Sequence, residues 1–341
     1  MSDRDTVDLS IIVVSFNTKV MTLAALDSVY AETLDLAYEV IVVDNASHDG
    51  SAEAIAAHPG RPRLVALAQN IGFARANNLA AASARGRQIL LLNPDTIVQS
   101  RAIDLLTAFA KAHPDAGIWG GRTLFADGSL NPSSCWGRMT PWRLFCRASG
   151  LTALFPRSEW FNGEAYGGWP RNRVREVDIV SGCFFLVDRD LWQRLGGFDP
   201  LFFMYGEEAD LCLRAHALGA RPMVTPAATI VHYGGASERA RSDKMVRLLS
   251  AKASLVERHF APRWRRIGLD LLAAWPLTRM LALEAAARIT GNQRHAEAAA
   301  VWGEIWRRRA EWRGGWRRDD ATKATSGSAV VVPFGKPASG A

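Results

Sequence analysis

Four short apolar runs, Leu9–Phe16, Val40–Val43, Leu64–Leu67 and Ile89–Leu92, have strand length and are rich in Ile, Val and Leu. Between them lie Lys19–Ala31, Asp49–His58 and Phe73–Arg85, where Ala, Leu and polar residues fall at helical spacing. This alternation predicts βαβ units and a parallel sheet with helices on both faces. Such sheets bind ligands beyond the carboxyl ends of their strands, near a switch in strand order, so function is sought in the loops after these runs. Residues 126–175 break the pattern with Asp127-Gly128, Asn131-Pro132, Gly163, Gly167-Gly168 and many aromatics. They predict a long, partly ordered insertion beside an active site. Regular patterning returns from Val177 to Tyr233: a strand over Ile179–Val187, a short helix, the loop Gly196–Pro200, a helix over Glu207–Leu218 and a strand ending at His232. Residues 319–341, rich in Gly, Ser, Pro and Ala, predict a disordered tail.

A chain of 341 residues can bury a full α/β core and still carry an appended segment. Apolar content of 48% and charged content of 22% are ordinary for a globular protein. The cysteines Cys135, Cys146, Cys183 and Cys212 form no CxxC pair and suit buried thiols in a reducing compartment. The acidic, polar start of the chain runs directly into the first strand without signal-peptide character, so the catalytic part is expected in the cytoplasm.

Charge is placed unevenly. The net charge is +7, yet Arg258–Arg318 alone holds 13 Arg and no Lys against five acids, leaving the rest near neutral. Six of the 12 tryptophans share that segment. Its longest apolar stretch, Ile267–Thr290, is interrupted by Asp270, Pro276, Arg279, Glu284 and Arg288. A spanning helix needs about 20 mostly apolar residues, so this pattern predicts a helix lying on a surface. That surface is either a membrane, reached through Arg and Trp, or the catalytic domain itself or a dimer partner.

The loops after the strands carry the candidate chemistry. Ser15-Phe16-Asn17 follows the first run, and Asp44 to Gly50 follows the second. Polar side chains at successive strand ends can hydrogen-bond a base and a ribose, although Asn17-Thr18 and Ser47–Asp49 equally suit helix N-caps. Asp44 sits at the crevice end of a buried strand. Asn77 and Asn78, one to two turns into the helix opened by Asn70-Ile71-Gly72-Phe73, can face a ligand near its anion-favouring N-terminus. After the fourth run, Asn93-Pro94-Asp95 holds an acid suited to a hard cation bound to diphosphate oxygens; alternatively Asp95 caps a helix starting near Ile97. Glu207, Glu208 and Asp210 open one helix, with Arg214 four residues beyond Asp210, and His232 stands alone at a strand end. Neither GxGxxG nor GxxxxGK[ST] occurs, which argues against a dinucleotide enzyme or a P-loop ATPase.

Ser15-Phe16-Asn17, Val43-Asp44-Asn45-Ala46-Ser47, Asn70-Ile71-Gly72-Phe73-Ala74, Asn93-Pro94-Asp95 and Gly206-Glu207-Glu208-Ala209-Asp210-Leu211, in this order, resemble glycosyltransferase family 2. The resemblance spans about Leu9 to His232, roughly two-thirds of the chain. It implies an α/β fold of GT-A type, a nucleotide-sugar-binding architecture with a mostly parallel central sheet, here followed by a C-terminal helical appendage. Residues 1–240 would form the catalytic domain, with a nucleotide-sugar half to about 125 and an acceptor half from about 126, and 241–318 the helical segment.

The resemblance implies roles for single residues. Asp44 would read the base, with Ser15, Asn17, Asn45, Asn70, Asn77, Asn93 and Asp95 also on the donor. Asp95 matches the second acid of the family's DxD metal motif, and His232 a further ligand to magnesium or manganese. Glu208 stands at the position of the general base, with Glu207 and Asp210 beside it. Two departures stand out: the first DxD acid is Asn93, and the usual Glu-Asp pair is Glu207-Glu208, so Glu207 remains a candidate base. The Asn-Pro-Asp variant is most similar to the rhamnosyltransferase branch. It implies transfer of L-rhamnose from dTDP-L-rhamnose, with inversion, to a glycan or lipid-linked acceptor in cell-surface polysaccharide synthesis at the inner membrane face. Transfer of another hexose or galactofuranose from a UDP or GDP donor shares these motifs, as does a non-catalytic nucleotide-sugar-binding module. No nucleic-acid partner is implied. A nucleotidyltransferase would carry a basic phosphate-gripping loop near its first strand, and Lys19 is the only Lys or Arg from Val7 to Ala31.

Overall fold

The structure, a computed structural model, describes residues 7–234 and 241–317. The first half alternates as the pattern requires: β1 (Leu9–Ser15), α1 (Lys19–Glu32), β2 (Tyr38–Asp44), α2 (Ser51–Ala56), β3 (Arg63–Ala66), α3 (Phe73–Ala82) and β4 (Gln88–Leu92). These four strands pair in parallel in the order β3-β2-β1-β4. Every β1 side chain is buried, as expected of a strand covered on both faces. Its alternate residues feed two cores. Ile12 and Val14 pack with Ala74 and Ala80 of α3 and Leu211 beneath one face. Leu9, Ile11 and Val13 pack with Leu26 and Val29 of α1 on the other.

Beyond β4 the sheet becomes mixed. Phe184–Asp188 runs antiparallel between β4 and β6 (Ile118–Leu124), Met223–His232 is parallel to β6, and β5 (Thr96–Val98) closes the edge. Two local expectations change. The helix capped by Asp95 is not formed: Thr96-Ile97-Val98, β-branched throughout, pairs as a strand with Ile230–His232, and the next helix, α4 (Ala102–Ala112), starts later. The strand over Ile179–Val187 is broken in two. Ile179–Val180 pairs with Cys135–Trp136, the chain turns through Ser181–Cys183, and Phe184–Asp188 enters the main sheet.

The C-terminal part is helical, over Arg241–His259, Pro262–Thr290, Gln293–Arg307 and Arg309–Trp312. It builds its own core from Leu249, Val256, Leu272, Ile305 and Trp312, with Leu144 reaching in from the 126–175 segment. Trp275, Trp302 and Trp306 pack against this cluster, and Trp316 packs on the main core. Trp264 is the segment's one strongly exposed tryptophan. Most of the indoles therefore look inward, packed against an aliphatic core in which Trp312 is fully buried. All four cysteines are buried thiols. The expected tail at 319–341 lies outside the described residues.

Candidate active site

A cleft of about 830 Å³ opens at the carboxyl ends of β1, β2 and β4. Its walls come from three regions far apart in sequence: the strand-end loops with Asn45, Asn70, Asn93 and Asp95; the 126–182 segment with Trp136, Arg147 and Glu164; and the helices beginning at Glu207 and Arg241. β1 lies between β2 and β4, so the cleft sits where strand order reverses.

The strand-end loops are knitted together by their own polar side chains. Asn17 accepts from the His48 N–H (2.8 Å), and its own N–H donates to Ser47 Oγ (2.9 Å). Asp49 accepts from the N–H groups of Lys19 and Ser51, serving the starts of α1 and α2 together. The N-cap positions themselves are Thr18 and Gly50, without side-chain cap bonds; Asp49 serves both helix starts from one residue outside the second, and Ser47 ties the two loops. Asn45 Nδ2 donates to Asn70 Oδ1 (2.9 Å) and Asn45 Oδ1 accepts from the Ile71 N–H (2.9 Å); both asparagines line the cleft. Asp44 is buried, with one oxygen accepting from the Ser47 N–H (3.0 Å) and the other unpartnered. Three candidates turn away from the cleft. Ser15 is fully buried in a hydroxyl cluster with Thr18 and Thr22, Asn17 is spent on the loop contacts, and Asn77 donates to its own helix at Phe73 O.

The Asn70–Asn78 stretch has a second job, holding the loop before Glu207. Gly72 has φ +85°, and a Cβ there would lie 2.7 Å from Phe203 O, whose carbonyl accepts from the Phe73 N–H (2.9 Å). Asn78 exchanges two hydrogen bonds with the Phe198 backbone (2.8 and 2.9 Å).

At one end of the cleft the edge pairing sets His232 opposite Thr96 and beside Asp95. His232 Nε2 lies 3.4 Å from Asp95 Oδ1 and 3.4 Å from Asn93 Nδ2, and its Nδ1 is buried without a partner. Burial alone would lower the His232 pKa, but the Cys183 sulfur and the Asp95 carboxylate outweigh it and hold it at about 10. Among the described residues, no three His, Cys, Asp or Glu side chains close around a metal. A carboxylate and an imidazole nevertheless give an O/N donor pair fitting magnesium or manganese, with further ligands left to diphosphate oxygens.

Glu207 and Glu208 open a helix (Glu207–Ala217) on another wall of the same cleft, each with one buried carboxylate oxygen lacking a partner. Burial, and then the neighbouring Glu208, push Glu207 well above the usual carboxylate range. Burial also raises Glu208, while N–H groups at the helix start pull it partway back. Desolvation therefore outweighs the helix terminus. Asp210 is different: the structure removes it from the catalytic set. It is fully buried and accepts from Arg214 (2.7 Å), Arg258 (3.0 Å) and His259 (2.8 Å), which together hold its pKa low against the opposing effect of burial. Arg214 also donates to Leu195 O and Gly197 O, so Asp210 joins three elements as a structural hub.

Sequence reading missed the remaining wall. Glu164, buried, pairs with Arg147 (3.0 Å) and Lys252, and Arg147 also lies over the Trp275 ring at 4.8 Å. Burial opposes ionisation of Glu164, but the two cations prevail and hold its pKa at about 2. The only sequence signal was the helical spacing of Lys244, Leu248, Ala251, Lys252, Leu255 and His259, all on the cleft.

The family model described as "Glycosyl transferase family 2" matches residues 10–194, more than half of the chain. The O-antigen biosynthesis protein RfbC of Myxococcus xanthus is 30% identical over 246 residues, 70% of this chain but 18% of that protein. The chain thus spans under a fifth of that relative's length. N-acetylglucosaminyl-diphospho-decaprenol L-rhamnosyltransferase of Mycobacterium tuberculosis is 28% identical over 60% of this chain and 70% of its own. Among solved structures, the mannosyltransferase PcManGT from Pyrobaculum calidifontis, in complex with GDP-Man and Mn2+, superposes with a TM-score of 0.53. It is 21% identical and covers 94% of this chain and 84% of its own, which shows the fold.

Proposed function

Because the chain belongs to glycosyltransferase family 2, we propose that it transfers L-rhamnose from dTDP-L-rhamnose to a hydroxyl of a glycan or lipid-linked acceptor, with inversion. The observation that carries this reading is the make-up of one cleft. Asp95 and His232, 3.4 Å apart, and the elevated carboxylate of Glu208, with one oxygen unpartnered, line the same cavity. Asn45 and Asn70 supply the polarity a nucleoside needs at the strand ends, with Asp44 buried directly behind Asn45 and one of its oxygens unpartnered. A magnesium or manganese ion held by Asp95 and His232 would neutralise the diphosphate as it leaves. Glu208 accepts the proton of the acceptor hydroxyl while that oxygen bonds to the anomeric carbon, on the face opposite the breaking bond to diphosphate. A general base works best with a pKa near the working pH, and the burial of Glu208 moves it that way. A non-catalytic module would have no use for two adjacent acids on the cleft, each with one buried oxygen left unpartnered.

The rhamnosyl donor is supported by the relative named an L-rhamnosyltransferase, and a role in cell-surface polysaccharide by the relative named for O-antigen synthesis. We place the catalytic unit at residues 1–240, with the helices from 241 completing the acceptor wall, at the inner face of the cytoplasmic membrane. The test is donor turnover across dTDP-rhamnose, UDP-glucose, UDP-galactofuranose and GDP-mannose. The expected result is preferred turnover of dTDP-rhamnose. Preference for another donor sinks the rhamnosyl assignment, and turnover of none sinks the catalytic one.

A further inference from the structure

The indoles expected to meet a membrane are mostly inside the C-terminal helices, yet the protein does carry an exposed aromatic surface elsewhere. Trp142 and Phe145, on the Pro141–Ala148 helix, are exposed together with Leu154 (72%), Phe155 and Trp160 (69%). They form one cluster: Trp142 lies 5.7 Å from both Phe145 and Trp160, and its Nε1 donates to Trp160 O (3.0 Å). The polar atom of that indole is satisfied within the patch, so the ring is what faces outward. The Pro262–Thr290 helix packs alongside, with Thr278 Oγ1 donating to Ala148 O (2.7 Å), and Leu281, one turn beyond, is also exposed. A contiguous exposed apolar patch of this kind marks an interaction surface.

Charge identifies the partner. Residues 141–174 carry five arginines against two acids, and 262–290 again five against two. Arg171 is buried and Arg143 and Arg147 are half-buried in ion pairs with Asp178 and Glu164, but Arg157 is exposed between Phe155 and Trp160, and Arg173 and Arg279 are exposed in the same two segments. Anionic headgroups complement these exposed arginines, and aromatic rings settle at headgroup depth. The patch also lies on the outer side of a helix whose Arg147 walls the cleft. We propose that the Trp142–Trp160 aromatic patch is a membrane-docking face that seats the acceptor side of the cleft against an anionic bilayer. The docking face itself rests on exposure and charge, and the orientation of the acceptor side rests on the transfer reading.

The test uses the full chain with sedimenting vesicles of phosphatidylcholine, with and without phosphatidylglycerol. Binding should require phosphatidylglycerol and weaken with salt. Phe145→Ser/Trp160→Ser should lose at least about tenfold in partitioning, while Trp264→Ser should stay within about twofold. Leu154→Ser, a single change at the most exposed position of the patch, gives the same reading should the double variant not fold. The proposal falls if the wild type ignores anionic vesicles, if the patch variants sediment like it, or if Trp264→Ser carries the loss. It falls equally if the patch substitutions abolish a lipid-free dimer. Binding of dTDP-rhamnose by the same variants reads the transferase assignment separately.

Discussion

Replacing Glu164 by Gln tests how the helices after residue 241 are held to the catalytic cleft. In the folded chain the carboxyl's pKa falls from 4.5 to about 2, because Arg147 and Lys252 flank it. A depressed carboxylate adds stability above its unfolded pKa and loses it as pH falls toward the folded one. The shift corresponds to about 3 kcal/mol in all, of which about 2 kcal/mol should be gone by pH 3. The variant lacks this term, so its stability should change less between pH 7 and pH 3. At pH 7 it leaves two buried cations facing each other, at a cost of about 3–5 kcal/mol. The lower end is expected, since burial already depresses the Lys252 pKa and lets that side chain shed its proton. Urea denaturation of both proteins across this pH range gives the difference directly. Parallel stability curves would refute the ion-triad account. Adding Lys252→Met to Glu164→Gln should restore part of the loss, because the remaining charge no longer has a like neighbour.

Glu208→Gln should lower the transfer rate by roughly 10²–10⁴-fold with donor affinity unchanged, and Glu207→Gln should be milder; single-turnover transfer beside calorimetry separates them. Near-normal transfer by Glu208→Gln with a dead Glu207→Gln would move the base to Glu207. Because burial raises the Glu207 pKa, the folded state binds its proton more tightly, and stability should fall as pH rises above 4.5; Glu207→Gln should flatten that limb. Asp210→Asn should cost about 3–5 kcal/mol of stability, seen as a lower Tm, while the folded fraction keeps its turnover number. Excess chelator should abolish turnover and magnesium or manganese restore it, and Asp95→Ala should be inactive at any metal concentration; full turnover in chelator would end the metal assignment.

The sheet's parallel half was legible because it is written in local pattern. Ile, Val and Leu runs of strand length between helical spacings admit few other arrangements, and the predicted bounds of β1 to β4 lie within two residues of the observed ones. The same pattern placed Asn45, Asn70, Asn93 and Asp95 at strand ends, where the cleft opens. Other residues could not be assigned locally. Asp95 could cap a helix or end a loop until Thr96–Val98 found a partner strand more than 130 residues away, which set His232 beside it. Asn77 and Asn78 had the polarity of ligand contacts, but one serves its own helix and the other the Phe198 backbone. Asp210 looked like a third active-site acid until Arg258 and His259, from a helix nearly 50 residues on, claimed it. Tryptophan content suggested a membrane face in the C-terminal segment, whereas exposure places the aromatic face on residues 142–160. Periodicity follows from backbone geometry and is carried by neighbours in sequence. A carboxylate's protonation, a ligand pair or an exposed ring depends on which distant residue packs against it, and only the folded chain supplies that neighbour.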